Sequence, residues 1–320
     1  GLYYTYILWT LSAAAAAVLA DNLLLLLICW EVLTLLLYLL VNMGGEGSET
    51  AAQKCLAVLG FSDAAMFLGV ILIWLVYGTL SISSLSISTG TTPGLIAFLL
   101  LFAGAIAKAG AMPLHSWVPA IAKSTPAPTM AFLPAALDKL LGIYLLARIS
   151  LDIFSIRMGS GVSLMMMIIG AVTILFAVLM ALVQHDLKKL LSFHDVSQVG
   201  YMVLGVGSGI PIAIVGGLFH MLNNAIYKSG LFLAAGAIEK KAGTTDLGEL
   251  GGLAKLMPVT FITTVVAALS ISGVPPFNGF VSKWLVYQGM LEGPGYNMIF
   301  LVVAIFGSAL TLASFVKVLH

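Results

Sequence analysis

Two lysines stand inside long apolar stretches, each beside a Gly/Pro interruption. One stretch reads Ile106-Ala-Lys108-Ala-Gly110-Ala-Met-Pro113, the other Ser270-Ile-Ser-Gly273-Val-Pro275-Pro276-Phe-Asn-Gly279-Phe-Val-Ser-Lys283. An ammonium in hydrocarbon is costly, and a broken helix bares backbone groups that lipid cannot satisfy. The two together imply a polar, hydrated path. A buried lysine can release and retake a proton, and a nearby carboxylate holds it charged, so such a pair can act as a switch. Paired interruptions at corresponding places in two halves point to ion translocation.

Other residues fit that chemistry. Glu31 lies in the middle of the leucine-rich run Leu23–Leu37, where a carboxylate must be protonated or paired, with Lys108 and Lys139 as its expected partners. Lys139 sits mid-span in Leu133-Pro-Ala-Ala-Leu-Asp138-Lys139-Leu-Leu-Gly. His220, Asn224 and Lys228 recur every four residues and fall within roughly an 80° sector of a helix, a polar stripe suited to a proton relay. Asp63, His194 and Asp195 are weaker candidates: Asp63 would cap or pair locally, and His194-Asp195 would mark a polar kink. Asp138 would point to a different helix face from Lys139 and hydrogen-bond structurally.

These side chains need a membrane scaffold. The chain of 320 residues is 61% hydrophobic and 8% charged, against about 25% charged in soluble domains, so it is a polytopic membrane protein. A net charge of +1 argues against nucleic acid as a partner. Cys29 and Cys55 lack metal or disulfide spacing, and no nucleophile–base pair or phosphate loop is present. The chain itself is expected to hold no catalytic site, cofactor or metal.

Windows of about 20 apolar residues predict an all-α fold with about ten spans: 2–20, 22–43, 51–77, 94–123, 128–149, 161–183, 188–207, 211–238, 257–292 and 295–318. The fourth is predicted to break near 110–113 and the ninth near 273–279. The expected architecture is two five-helix repeats, residues 1–150 and 151–320, each with a broken fourth helix. An odd number of helices per repeat inverts the second copy. Lys123, Lys188, Lys189, Lys240, Lys241 and Lys255 against Arg148 and Arg157 place the residue-1 end on the cytoplasmic side. With no initiator Met and no cleavable signal pattern, the sequence is expected to be an internal piece of a longer chain or a processed form of one.

The motifs resemble a known family. Trp30-Glu31, Ala107-Lys108-Ala-Gly-Ala-Met-Pro113-Leu-His115-Ser-Trp117-Val-Pro119, Asp186-Leu-Lys188-Lys189, Ser197-Gln-Val-Gly-Tyr201, Leu218-Phe-His220, Lys228-Ser-Gly-Leu-Phe-Leu233 and Gly273–Lys283 are similar to the antiporter-like subunits of respiratory complex I, Mrp-type cation/proton antiporters and energy-converting membrane hydrogenases. The resemblance implies the family's core of two inverted repeats, without its first three helices and its C-terminal helix. By position it implies a Glu31–Lys108 pair, a central Lys139, a His220–Lys228 relay and an exit lysine at Lys283. Asn224 stands where some members carry a second histidine. The segment Met130–Arg148 looks more like the hydrogenase branch. The implied function is a proton-translocating subunit of a redox-driven membrane complex, with other membrane subunits and redox subunits as partners. The alternatives are part of an Mrp-type cation/proton antiporter and a stand-alone inverted-repeat solute transporter. The expected location is an energy-converting membrane such as the prokaryotic inner membrane.

Overall fold

In lipid a backbone N–H or C=O finds no water, so each segment must satisfy its own hydrogen bonds, and the apolar runs of this chain fold as helices. The computed structural model describes residues 1–320; its regular elements are all helical, and three isolated bridges join residues between them. The helices are α1 (Leu2–Leu19), α2 (Leu23–Asn42), α3 (Ser48–Tyr77), α4 (Thr92–Ala109), α5 (Trp117–Ile121), α6 (Ala127–Phe132) and α7 (Asp138–Ala147). They continue with α8 (Gly161–Leu182), α9 (Leu187–Gly207), α10 (Pro211–Ala242), α11 (Leu253–Leu256), α12 (Pro258–Ser272), α13 (Asn278–Glu292) and α14 (Asn297–Leu319). Seven helical segments are long and apolar enough to cross a membrane, including the composite stretch Ala127–Ile153. The protein is an integral, multi-pass membrane protein.

Its surface is built the opposite way from that of a soluble protein. Phe61, Trp74, Ile226 and Val302 are exposed, whereas Lys108, Lys139, Asp195, His220, Lys228 and Lys283 are at most 1% accessible. The most internal helix is α9, in which every residue from Leu190 to Gly207 is buried.

Both expected interruptions are present. Helix α4 ends at Ala109, Gly110 turns left-handed (φ 82°), and the chain resumes in α5. Helix α12 ends at Ser272, Gly273 turns left-handed (φ 75°), and the chain resumes in α13. Glycine is needed at both, since a Cβ penalises that conformation. The two ends close alike: Ala111 N–H donates to Ile106 O and Val274 N–H to Leu269 O. Two further irregularities go beyond the sequence expectation. Leu133–Leu137 and Arg148–Ile153 are π-helical, so α7 is flanked by wide turns, the first carrying Pro134. No kink is present at His194-Asp195, because α9 runs unbroken.

The loops tie off at two ends. At one, the Asp21 carboxylate accepts hydrogen bonds from the hydroxyls of Ser83 and Ser81, which hold its pKa below the usual carboxylate value, and Arg148 pairs with Asp152 at 2.8 Å. At the other, Asp186 caps α9 through Lys189 N–H, accepts from Thr245 and pairs with Lys123, while Lys188 meets Glu239 at 2.6 Å.

Helices α8 and α9 touch through glycines. A Cβ on Gly200 would fall 2.5 Å from Gly170 O, and one on Gly170 would fall 2.7 Å from Leu204 N. Gly200→Val is therefore expected to destabilise the protein by about 1–3 kcal/mol through overpacking. Gly230→Ala, where nothing lies within 4 Å, should not destabilise it. Thermal unfolding in detergent reads both; equal melting of Gly200→Val and the wild type would refute the close-packing account.

Candidate functional site

Lys108 sits in the last turn of α4, where the helix dipole favours a cation. Its Nζ donates to Thr34 Oγ1 at 2.7 Å and lies 5.2 Å from the Trp30 ring centre. Thr34 in turn donates to Asp63 Oδ2 at 2.7 Å, and Trp30 Nε1 donates to Asp63 Oδ1 at 3.0 Å. The result is a buried chain from ammonium through hydroxyl to carboxylate, spanning α2, α3 and α4. The expected Glu31–Lys108 pair is not formed. Glu31 is exposed, on a stripe of α2 with Leu24, Ile28 and Leu35, while Trp30 and Thr34 face inward. A register of 100° per residue separates Glu31 from the face that Lys108 meets, so Asp63 takes the place assigned to Glu31. Asp63 neither caps nor pairs locally.

Lys139 also finds a different acid. Its Nζ lies 2.6 Å from Asp195 Oδ2 and donates to Pro134 O at 3.1 Å. That carbonyl belongs to the π-helical turn, where the helical ladder is loosened. Asp138 is buried, but neither of its oxygens accepts a hydrogen bond from a protein group, contrary to the structural bond expected for it.

The stripe on α10 is buried along its length. Lys228 Nζ donates to Leu191 O at 2.6 Å, one turn before Asp195 on α9. Asn224 donates weakly to Ala135 O at 3.4 Å, again in the π-helical turn. His220 is hydrogen-bonded through Nδ1 to Ser282 (2.8 Å) and through Nε2 to Gln198 (3.1 Å), with the Tyr227 hydroxyl 3.3 Å from Nε2. His194 bonds Ser314 at 2.7 Å, apart from this stripe. Ser282 precedes Lys283, whose Nζ donates to Ile271 O (2.8 Å) and Ser308 Oγ (3.0 Å) and lies 4.5 Å from the Tyr201 ring centre. Ile271 O is one of the carbonyls freed where α12 ends. At the first break the freed Ala107 O is taken by Trp117 Nε1 at 2.9 Å, and Met112 N–H donates to Thr173. Ser270 and Asn278 bond each other directly across the second break.

Lys108, Lys139, Lys228 and Lys283 thus stand buried in the interior, with His220 joined to the residue beside Lys283 and two turns from Lys228 on α10, and Glu31 stands outside. The geometry adds Asp63, Asp138, Asp195, Gln198 and Ser282. Both Asp63 and Asp195 are visible in the sequence as acids in apolar helices, but their partners lie on other helices and no spacing along the chain reveals them. No cluster of residues is arranged to hold a metal ion. Such an interior can pass protons among amines, carboxylates and an imidazole.

The comparisons with known proteins agree with this architecture. Residues 20–311 match the transmembrane family described as NADH:quinone oxidoreductase/Mrp antiporter, and the chain belongs to that family. It is 34% identical to the A1 subunit of the Na(+)/H(+) antiporter of Staphylococcus epidermidis, over all of this chain and 43% of that protein. It is also 34% identical to the A1 subunit of the Na(+)/H(+) antiporter of Staphylococcus saprophyticus, over 97% of this chain and 42% of that one. The chain therefore spans less than half the length of these relatives. Among solved structures, a chain of the Mrp complex from Dietzia sp. superposes with a TM-score of 0.92 at 30% identity, covering 98% of this chain and 59% of that one. A chain of the membrane-bound sulfane sulfur reductase, an archaeal respiratory membrane complex, gives 0.90 at 25% identity, covering 99% and 66%.

The Lys139–Asp195 pair yields a stability prediction. Asp195→Ala leaves an unpaired buried ammonium and should destabilise by about 3–5 kcal/mol, whereas Lys139→Met with Asp195→Leu should recover most of the loss. Thermal unfolding of the two variants measures this; equal melting of the single and double variants would contradict a direct ion pair.

Proposed function

We propose that the chain is the ion-translocating core of a cation/proton antiporter, passing protons between its buried lysines. The observation that carries this is the match, along essentially the whole chain, to relatives named as A1 subunits of Na(+)/H(+) antiporters. It favours the antiporter alternative over the redox-driven pump that the motifs and the Met130–Arg148 segment suggested. Proton movement is then coupled to the opposite movement of a cation instead of to electron transfer. Like the Mrp complex chain it resembles, the protein works with other membrane subunits.

The core consists of two inverted five-helix repeats, residues 1–150 and 151–320. The like closure of the two broken helices supports this division. Protons enter near Lys108, pass Lys139, follow Lys228 and His220 along α10, and leave near Lys283. The carbonyls freed at the breaks stabilise the charged forms. Glu31 lies in the exposed apolar stripe of α2, where a neighbouring subunit covers it and takes the carboxylate out of lipid. Its part in the path is exchange at that boundary.

One observation supports a second reading, membership of a redox-driven complex: the 0.90 superposition on an archaeal respiratory complex. The two readings share the same lysines and differ in what drives them.

The test uses inverted membrane vesicles bearing the full-length protein with its partner subunits. A respiration-driven pH gradient, followed with a fluorescent dye, is expected to collapse when sodium or potassium is added. Lys108→Ala and Lys283→Ala should each reduce that response by at least about tenfold at unchanged protein level. Full response in both variants would sink proton passage through the lysines. Cation-independent pumping with redox subunits in the purified assembly would favour the second reading.

A further inference from the structure

Of the buried carboxylates, Asp138 is the one for which the fold supplies no partner. It is 1% accessible, and neither carboxylate oxygen accepts a hydrogen bond from the protein. A bare carboxylate in such a place costs several kcal/mol, so the group must be neutralised by something other than a fixed donor. Its neighbour along the chain, Lys139, is turned away toward Asp195 and Pro134.

Asp138 opens α7, one turn before Gly142 and on the same face. At Gly142, α7 presses directly on the last turns of α4: a Cβ there would fall 2.4 Å from Ala109 N and 2.7 Å from Ala105 O. Asp138 therefore faces the helix end that carries Lys108. Asp63, linked to Lys108 through Thr34, is the other acid at that helix end. Asp63 is already engaged by Trp30 and Thr34. Asp138 is thus the unengaged acid between two lysines that point in different directions.

We propose that Asp138 is a proton-binding site, the station on which a proton rests between Lys108 and Lys139. An N–H bond of the Lys108 ammonium breaks and an O–H bond forms on Asp138. That O–H bond then breaks toward the Lys139 amine, once Lys139 has passed its own proton onward. Charge and proton are conserved at each transfer, and because neither lysine contacts Asp138 the proton crosses through a bridging water or by a swing of the lysine side chain. This rests on the proton-transfer reading above and adds a residue to it. The lack of protein donors is what the role requires, because a carboxylate locked in hydrogen bonds could not take up and release a proton readily.

The test is infrared difference spectroscopy combined with the vesicle assay, on the full-length protein in its membrane assembly. Asp138→Asn keeps the shape and removes no hydrogen bond. It should delete a carboxylic-acid C=O band that shifts in D2O in the wild type, and lower transport per assembled protein by roughly a hundredfold. Asp138→Glu keeps a titratable group and should keep both band, at a shifted position, and transport. An unchanged spectrum in Asp138→Asn overturns the proposal whatever the transport rate, because the residue then carries no proton. If Asp138→Asn does not assemble, an unshifted band in Asp138→Glu overturns it equally. Loss of transport in Lys108→Ala with full transport and an unchanged spectrum in Asp138→Asn would remove this site and leave the proton-transfer reading standing.

Discussion

An ammonium held in a hydrocarbon interior must be given oxygen atoms, and helices have none to spare. Each carbonyl of a regular helix already accepts an N–H four residues on, so a buried lysine needs a carboxylate, a hydroxyl or a carbonyl freed from the ladder. That requirement connects the irregular features of this fold to its charges. Lys283 takes Ile271 O, at the end of α12, and Lys139 takes Pro134 O, in a π-helical turn. Lys108 lies in the turn where α4 ends and reaches a hydroxyl backed by Asp63. The breaks and the lysines are one arrangement, in which each makes the other tolerable.

The four lysines are not held equally. Lys108 and Lys139 are tied to carboxylates, one through Thr34 and one directly. Lys228 and Lys283 rest on neutral dipoles, with Lys283 also above the Tyr201 ring. Coulomb attraction in a low-dielectric interior exceeds what a dipole offers, so the first two ammoniums are held more firmly than the last two. Acid is concentrated toward the residue-1 half and at α9, and none contacts Lys283.

Much of this is written in the sequence, and the rest is hidden for a physical reason. Both helix breaks are legible because Gly110 and Gly273 must adopt a backbone conformation that other residues avoid, and prolines mark the spot. The buried lysines are legible because a charge inside an apolar run stands out. Pairing is not legible. Glu31 is one residue from Trp30 and three from Thr34, yet those two face inward while Glu31 faces out. Asp63 is distant along the chain and adjacent in space. Sequence spacing predicts which residues share a helix face, but it does not say which helix that face meets. The π-helical turn is hidden even with Pro134 in view, since a proline can equally kink a helix or sit at its start.

The exchange of Glu31 for Asp63 changes what the α2 surface is for. Had Glu31 paired with Lys108, α2 would present only hydrocarbon outward, and lipid would suffice to cover it. With Asp63 in the inner position, α2 lies between two acids: an engaged one inside, reached through Thr34 and Trp30, and its own free one outside among Leu24, Ile28 and Leu35. Lipid cannot solvate a carboxylate at that depth, and a helix surface cannot avoid whatever lies against it. The same helix thus joins the inner lysine, through Thr34, to an outer face on which Glu31 must be protonated or meet a polar neighbour.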